Sequence, residues 1–93
     1  MSSRMHQPPH PGAVLGQYLE GVSITRAASS VGVSRVYLSR ILHGKANISA
    51  DMALRLADLL GTSAELWLGM QSSYDLWLAS RSPRPSIARL QLA

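Results

Sequence analysis

The side chains best suited to chemistry in this chain are basic, and they lie together between residues 22 and 48. Arg26, Arg35, Arg40 and Lys45 occur in this stretch without an aspartate or glutamate among them. Arginine and lysine bind phosphate groups, and arginine also pairs bidentately with guanine in the DNA major groove. Because a basic stretch is commonly only a solvated surface, the elements that carry these residues must decide whether they form a binding site.

Two short helices around a tight turn carry the basic residues. Ser23 can cap a first helix, and Gly32 suits the left-handed backbone that ends it. Ser34 can cap a second helix, Arg35–Leu42, which Gly44 closes. Helices joined by so short a turn form a helix-turn-helix, whose second helix lies in the DNA major groove. An αα-hairpin in an unrelated helical bundle is the alternative.

The second helix of this motif has an inner and an outer face. Leu38, Ile41 and Leu42 recur at helical spacing, which predicts that they are buried. The remaining side chains face outward without acidic partners, which suits a helix that contacts DNA. The residues expected to face the bases are Arg35, Val36, Tyr37 and Arg40, and those expected to contact the phosphate backbone are Arg26, Ser34, Ser39, Lys45 and Asn47.

The apolar spacing of the remaining chain predicts three more helices. They are helix 1 from Pro11 through GAVLGQYLEG to Gly21, helix 4 over ADMALRLADLL between Ser49 and Gly61, and helix 5 from Ala64 after the cap Ser63. The predicted fold class is all-α, with five helices in one domain over residues 11–81. Residues 1–10 are expected to form a flexible arm. The tail, residues 82–93, fits a short strand, a helical turn or a disordered segment equally well.

Helix 5 carries more apolar surface than so small a domain can bury alone. Its apolar positions at helical spacing are Leu66, Trp67, Met70, Tyr74, Trp77 and Leu78. We expect Trp67 to point into the core. We expect Tyr74, Trp77 and Leu78 to form the interface of a homodimer, because pairing would cover apolar surface that is otherwise exposed. The tail would extend that interface if residues 87–92 paired as strands.

The composition excludes several classes of protein. The chain has 93 residues and no cysteine, which rules out disulfides, thiol catalysis and thiolate metal sites. No stretch is long and apolar enough to span a membrane, and the first residues lack the apolar core of a signal peptide. No phosphate loop, nucleophile–base pair or carboxylate cluster occurs. We therefore expect a cytoplasmic protein that is not an enzyme and needs no cofactor or metal.

Several short motifs carry a resemblance to a known family. They are His10-Pro11-Gly12, Gly44-Lys45 with Ile48-Ser49, Trp67-Leu68, and Gln71 before Tyr74-Asp75-Leu76. With the helix-turn-helix, these motifs resemble the HigA-type antitoxins, which are Xre-family proteins with a lambda-repressor-like fold. The resemblance extends from Pro11 to Leu78, most of the chain.

This resemblance implies a homodimer that binds double-stranded operator DNA. It also implies a partner toxin, an mRNA-cleaving RelE-like ribonuclease of the HigB type, which the antitoxin neutralises while the complex represses its own operon. An Xre-type repressor without a toxin is the alternative function. A protein-interaction module that has lost DNA binding is a third.

Two positions depart from the family pattern. The family usually begins the first helix of the motif with a polar, phosphate-binding residue, and Ile24 stands there in this chain. The phosphate contact then falls to Thr25, Arg26 or backbone N–H groups. A large apolar residue is also usual where Ala27 stands, so other side chains must fill that part of the core.

Overall fold

The computed structural model describes residues 6–92, and five α-helices dominate that part of the chain. They are α1 (Pro11–Tyr18), α2 (Ile24–Val31), α3 (Arg35–Leu42), α4 (Ala50–Leu60) and α5 (Ala64–Ser80). No strand occurs between residues 6 and 92. The prediction of an all-α, five-helix fold is therefore confirmed. None of these helices is long and apolar enough to cross a membrane.

Serine caps explain why four of these helices begin where they do. In each case the serine Oγ accepts a hydrogen bond from the backbone N–H three residues later, at 3.0–3.2 Å. The four capping residues are Ser23, Ser34, Ser49 and Ser63. Such a bond satisfies an N–H that has no partner within the helix, and it stabilises the helix by about 1 kcal/mol. The predicted starts of α2 to α5 are thus confirmed.

Helix α1 begins at Pro11, as predicted, but it ends earlier than predicted. His10 caps it through Nδ1, which accepts from the Gly12 N–H at 2.9 Å. The helix ends at Tyr18, earlier than predicted, because the Glu20 N–H turns to the Gln17 carbonyl three residues before it. Glu20 therefore lies in the turn after α1 and not on the helix.

A single core lies between the helices. Its fully buried large side chains are Leu15, Leu38, Ile41, Met52, Leu56 and Trp67. The inward orientation expected for Trp67 is confirmed. Two large side chains of α1 and α4 are only partly covered: Tyr18 is 47% exposed and Leu59 is 37% exposed. Tyr18 still contacts the core, since its ring meets the Trp67 ring edge-on at 5.5 Å.

Close packing between α1 and α3 positions the helix-turn-helix on the rest of the domain. A Cβ atom added at Gly12 would collide with the carbonyl oxygen of Ile41. Helix α1 also contacts α5, and α2 contacts both α3 and α4. Each helix of the motif is thus supported by another element of the fold, α3 by α1 and α2 by α4.

The C-terminal tail shows neither the strand nor the helical turn that its sequence would allow between residues 83 and 92. Residues 83–92 form neither helix nor strand, and Ile87, Leu90 and Leu92 are all more than three quarters exposed. Residues 1–5 of the expected N-terminal arm lie outside the described residues. The predicted domain boundaries at residues 10 and 81 stay predictions.

Candidate nucleic-acid interface

The outer face of α3 presents basic and aliphatic side chains to solvent. Arg35 and Arg40 are exposed, and Val36 is 70% exposed. The inner face is anchored by Leu38 and Ile41, which are at most 1% exposed. The predicted division of α3 into a buried face and an exposed face is therefore confirmed at these positions.

The loop after α3 is tied back to the helix and brings a lysine beside its last turn. The Lys45 N–H donates to the Arg40 carbonyl oxygen at 2.7 Å. In return, Nη2 of Arg40 donates to the Lys45 carbonyl oxygen at 3.0 Å. Because the guanidinium is held at one edge only, its other N–H groups stay available to a ligand.

Tyr37 and Ser39 are less exposed than the sequence predicts. Both are half-buried. The Tyr37 hydroxyl donates to the backbone carbonyl of Asn47 at 3.2 Å, so this residue joins α3 to the following loop. The Ser39 carbonyl accepts from Nδ1 of His43 at 2.8 Å. Tyr37 therefore helps to shape the outer surface from its margin.

Helix α2 begins beside the outer face of α3, where Ile24 lies next to the α3 residues. Thr25 and Arg26 are exposed there, next to Ile24, which is half-buried and packs against the core. Together with α3, this turn forms a shallow cleft. The cleft is lined by Ile24, Arg35, Val36, Ser39 and Arg40. The structure thus brings Ile24 together with the predicted residues of α3, whereas Arg26 lines a separate depression with Tyr18, Leu19 and Leu59.

Gln71 on α5 is a positioning residue that sequence reasoning did not assign a role. It is 5% exposed, and its Oε1 accepts from the Ile48 N–H at 2.8 Å. Its Nε2 donates to Oδ1 of Asn47 at 3.1 Å and to Oδ1 of Asp75 at 3.0 Å. The amide thereby fixes the loop between α3 and α4. The available signal was a lone amide at helical spacing within an otherwise apolar stripe of α5.

Arg55 on α4 is a second supporting residue that the sequence did not reveal. Its Nη1 donates to the carbonyl oxygens of Val31 and Gly32 at 3.1 and 3.0 Å. Its Nε donates to Asp51 at 2.8 Å. Carbonyl groups at the end of a helix have no partner within it, so Arg55 satisfies the end of α2 just before the turn.

The charges of this surface are uncompensated among residues 6–92. Between residues 6 and 92, the one ion pair joins Arg55 to Asp51 on α4. Arg26, Arg35, Arg40 and Lys45 have no acidic partner in that part of the chain. A cluster of basic side chains without acidic partners is the electrostatic arrangement that favours binding to a phosphate backbone.

Comparison with known proteins agrees with this geometry. A helix-turn-helix family model matches residues 15–67. The structure of an addiction module antidote protein of the HigA family from Coxiella burnetii is 36% identical and has a TM-score of 0.76. That match covers 80% of this chain and 84% of the other. The chain belongs to the HigA family of helix-turn-helix antitoxins.

Two further relatives resemble this HigA-family chain. Pseudomonas aeruginosa antitoxin HigA, solved with the higBA promoter, is 37% identical with a TM-score of 0.74, and the match covers 77% of this chain and 82% of that one. Virulence-associated protein A′ of Dichelobacter nodosus is 45% identical over 76 residues, which are 78% of this chain. This chain covers 66% of that relative's length.

In this HigA-family fold, the residues predicted to form a dimer interface lie on the second half of α5. Tyr74 and Trp77 are half-buried by each other and by neighbouring rings, and Leu78 is 45% exposed. Tyr74 also meets the ring of His10 at 4.8 Å. No α5 residue after Gln71 is fully buried. The interface itself stays a prediction.

Proposed function

We propose that this chain binds double-stranded operator DNA through the outer face of α3 and represses its own operon in the cytoplasm. The observation that carries the proposal is the uncompensated basic surface of α2 and α3. It lies on the face of a helix-turn-helix that enters the major groove. The similarity to an antitoxin solved with its promoter supports the same assignment.

We assign base contacts and phosphate contacts to different residues of this surface. Arg35 and Arg40 read guanine in the major groove, with Val36 and Tyr37 beside them. Phosphate contacts fix the orientation of the protein on the duplex and carry little sequence information. The residues proposed for phosphate contact are Thr25, Arg26, Ser34, Ser39, Lys45 and Asn47.

Binding to a duplex taken from upstream of the gene tests the DNA assignment. Arg35→Ala and Arg40→Ala should each bind the preferred duplex about 5- to 150-fold more weakly, the equivalent of one lost bidentate contact. Lys45→Ala should weaken binding to all duplexes similarly and reduce the salt dependence by about one charge. Arg84→Ala removes an exposed charge from the tail and serves as the control. Parent-like binding by both α3 variants would overturn the assignment.

We also propose that the protein acts as a homodimer through Tyr74, Trp77 and Leu78. A single helix-turn-helix buries too little surface for tight specific binding, and two-fold proteins read half-sites about one helical turn apart. The surplus apolar surface of α5 supports this assembly, since Leu76 and Leu78 are 62% and 45% exposed.

Neutralisation of an mRNA-cleaving, RelE-like toxin of the HigB type completes the proposed function. Membership of the HigA family supports it. A toxin docked on α1 and the nearby ends of α4 and α5 would leave α3 free for DNA. The acidic side chains all lie outside α3; they are Glu20, Asp51, Asp58, Glu65 and Asp75. Our proposed contact region is the stretch from Val14 to Glu20.

Co-expression with the adjacent gene tests the toxin partner. The neighbour should inhibit growth when expressed alone, and the wild-type chain should restore growth and co-purify with it. Glu20→Arg should weaken that complex without changing DNA affinity. A neighbour that does not inhibit growth, or that forms no stable complex with the wild type, would leave the alternative of an Xre-type repressor without a toxin.

A further inference from the structure

The shallow cleft between α2 and α3 has an apolar floor within a basic surface. Val36 is 70% exposed, although an aliphatic side chain gains nothing from contact with water. Ile24 lies beside it, half-buried and packed on the core, so its position is fixed from behind. Arg35, Ser39 and Arg40 complete the lining. A binding surface for phosphate alone would need no such floor.

We propose that Ile24 and Val36 hold the 5-methyl group of a thymine, next to a guanine bound by Arg35 or Arg40. This inference rests on the proposed DNA binding and specifies the base that the cleft recognises. Thymine is the base that presents a methyl group in the major groove, whereas cytosine presents an N–H donor at the neighbouring position. Apolar side chains accept no hydrogen bond, so the cleft favours thymine over cytosine.

The arginines that line the cleft are placed to bind a guanine next to the thymine. The Arg40 guanidinium is restrained by the Lys45 carbonyl at 3.0 Å, which keeps one wall in place. Arg35 is the first residue of α3, where side chains reach the bases in proteins of this type. Tyr37 does not line the cleft, since its hydroxyl is directed to Asn47. The methyl contact is therefore assigned to Ile24 and Val36 alone.

Replacing thymine by deoxyuridine removes only the methyl group and keeps every base pair. The preferred duplex is first recovered by selection from a randomised DNA pool with the wild-type protein. Each thymine of its half-sites is then changed to deoxyuridine, one position at a time, and Kd is measured by fluorescence anisotropy. One position per half-site should lose about fourfold in affinity, the value of one buried methyl group.

Protein variants test whether the loss of affinity on deoxyuridine substitution arises from contacts in the cleft. In Val36→Ala the penalty for deoxyuridine at the sensitive position should fall below about twofold, while the penalty for changing the neighbouring guanine persists. Ile24→Val is the milder change at the second position, because Ile24 also packs on the core and a larger truncation would disturb folding. Leu54→Ala removes a side chain of similar exposure, 60%, from α4 and should leave the deoxyuridine penalty at fourfold.

The outcomes separate this inference from the proposed function. If no duplex is enriched and none binds with salt-dependent affinity, DNA binding itself is wrong. If a specific duplex binds tightly but no thymine position is sensitive to deoxyuridine, the cleft does not hold a methyl group. A sensitive position whose penalty is the same in Val36→Ala and wild type also overturns the assignment, because the methyl group then contacts another residue.

Discussion

Gln71 fixes the position of a loop to which it is not adjacent in sequence. Its amide oxygen and nitrogen hold the Ile48 N–H and the Asn47 side chain, and the loop that contains both also carries Lys45. Buried polar groups in a low-dielectric interior are costly when unpaired, so this amide restricts the loop to one arrangement. The sequence places an amide in the apolar stripe of α5, but its partners in the loop are more than 20 residues away along the chain.

Gln71→Leu should destabilise the fold and loosen the loop. The substitution leaves the buried Ile48 N–H without its partner, which costs about 1–3 kcal/mol in the free energy of unfolding. Urea unfolding measures the stability, and hydrogen exchange of the Ile48 amide measures the loop. Gln17→Leu alters an exposed glutamine on α1 and is the matched control. Unchanged protection of the Ile48 amide in Gln71→Leu would show that the amide does not hold the loop.

His10 links the start of α1 to α5. Its protonation state decides whether its ring can accept the hydrogen bond that caps α1. Its Nδ1 accepts the Gly12 N–H, while its ring contacts Tyr74. Burial lowers the pKa of His10 below the ordinary value of 6.5, and the nearby Asp75 carboxylate opposes that shift in part. An imidazolium would have no lone pair for the cap and would place positive charge at the positive end of a helix.

Stability should therefore decrease as the pH falls below 6.5. A group whose pKa is lowered in the folded state binds more protons when unfolded, so its contribution is present above the unfolded pKa and is lost as the pH falls through the folded pKa. Urea unfolding between pH 7.5 and pH 5 measures the effect. His10→Asn keeps a good capping residue that does not titrate, and it should reduce the pH dependence. An identical pH dependence in wild type and His10→Asn would contradict the assignment.

At the scale of the elements, the sequence predicts the helices well because their ends are encoded locally. Serine caps and the glycines Gly32 and Gly61, which have positive φ, mark four starts and two ends by interactions within a few residues. Contacts between residues that are distant in sequence are not encoded in this local way. Arg55 meets Val31 and Gly32 across 23 or 24 positions, and no local pattern distinguishes it from a solvated arginine paired with Asp51.

The outer face of α3 is likewise predictable from a local pattern, whereas the contact of Tyr37 with the loop after α3 is not. Helical periodicity separates Leu38 and Ile41 from the exposed arginines. It cannot show that the Tyr37 hydroxyl finds the Asn47 carbonyl, since this depends on the path of the loop after α3. The early end of α1 has a different, local cause, because the turn at Glu20 competes with one more helical turn.

The contact between α1 and α3 yields a prediction about two glycines of one helix. Gly12→Ala should destabilise the protein by about 1–3 kcal/mol, because the new Cβ meets the Ile41 backbone and overpacks a close helix contact. Gly16→Ala should stabilise it by about 0.5–1 kcal/mol, since alanine favours helix and its Cβ would lie 4.0 Å from Leu42 Cδ2. Chemical unfolding of both variants measures the difference. Equal effects of the two changes would be inconsistent with the close contact at Gly12.

At the scale of the whole molecule, the basic residues of the helix-turn-helix and the exposed leucines of α5 lie on different elements. Four basic residues without an acidic partner lie on α2, α3 and the loop that follows, whereas the exposed leucines of α5 include Leu68, Leu76 and Leu78. If the second half of α5 joins two copies, as we propose, DNA and the second copy would contact different elements of the chain. Two copies joined through α5 would present two α3 helices to one duplex.

Leu78→Arg should convert the proposed dimer into a monomer without unfolding it. Leu78 is 45% exposed, so a charge is tolerated in the isolated chain but is costly in an apolar interface. Sedimentation at micromolar concentration should show a dimer for wild type and a monomer for the variant. Affinity for a single half-site should be unchanged, while affinity for the full operator should fall towards the half-site value, since the second contact is no longer intramolecular. The control variant is Leu54→Arg, which places the same charge on α4 at a leucine that is 60% exposed. This variant should remain dimeric.

If the wild type is a monomer, or if Leu78→Arg is still a dimer with full operator affinity, the interface does not lie on this part of α5.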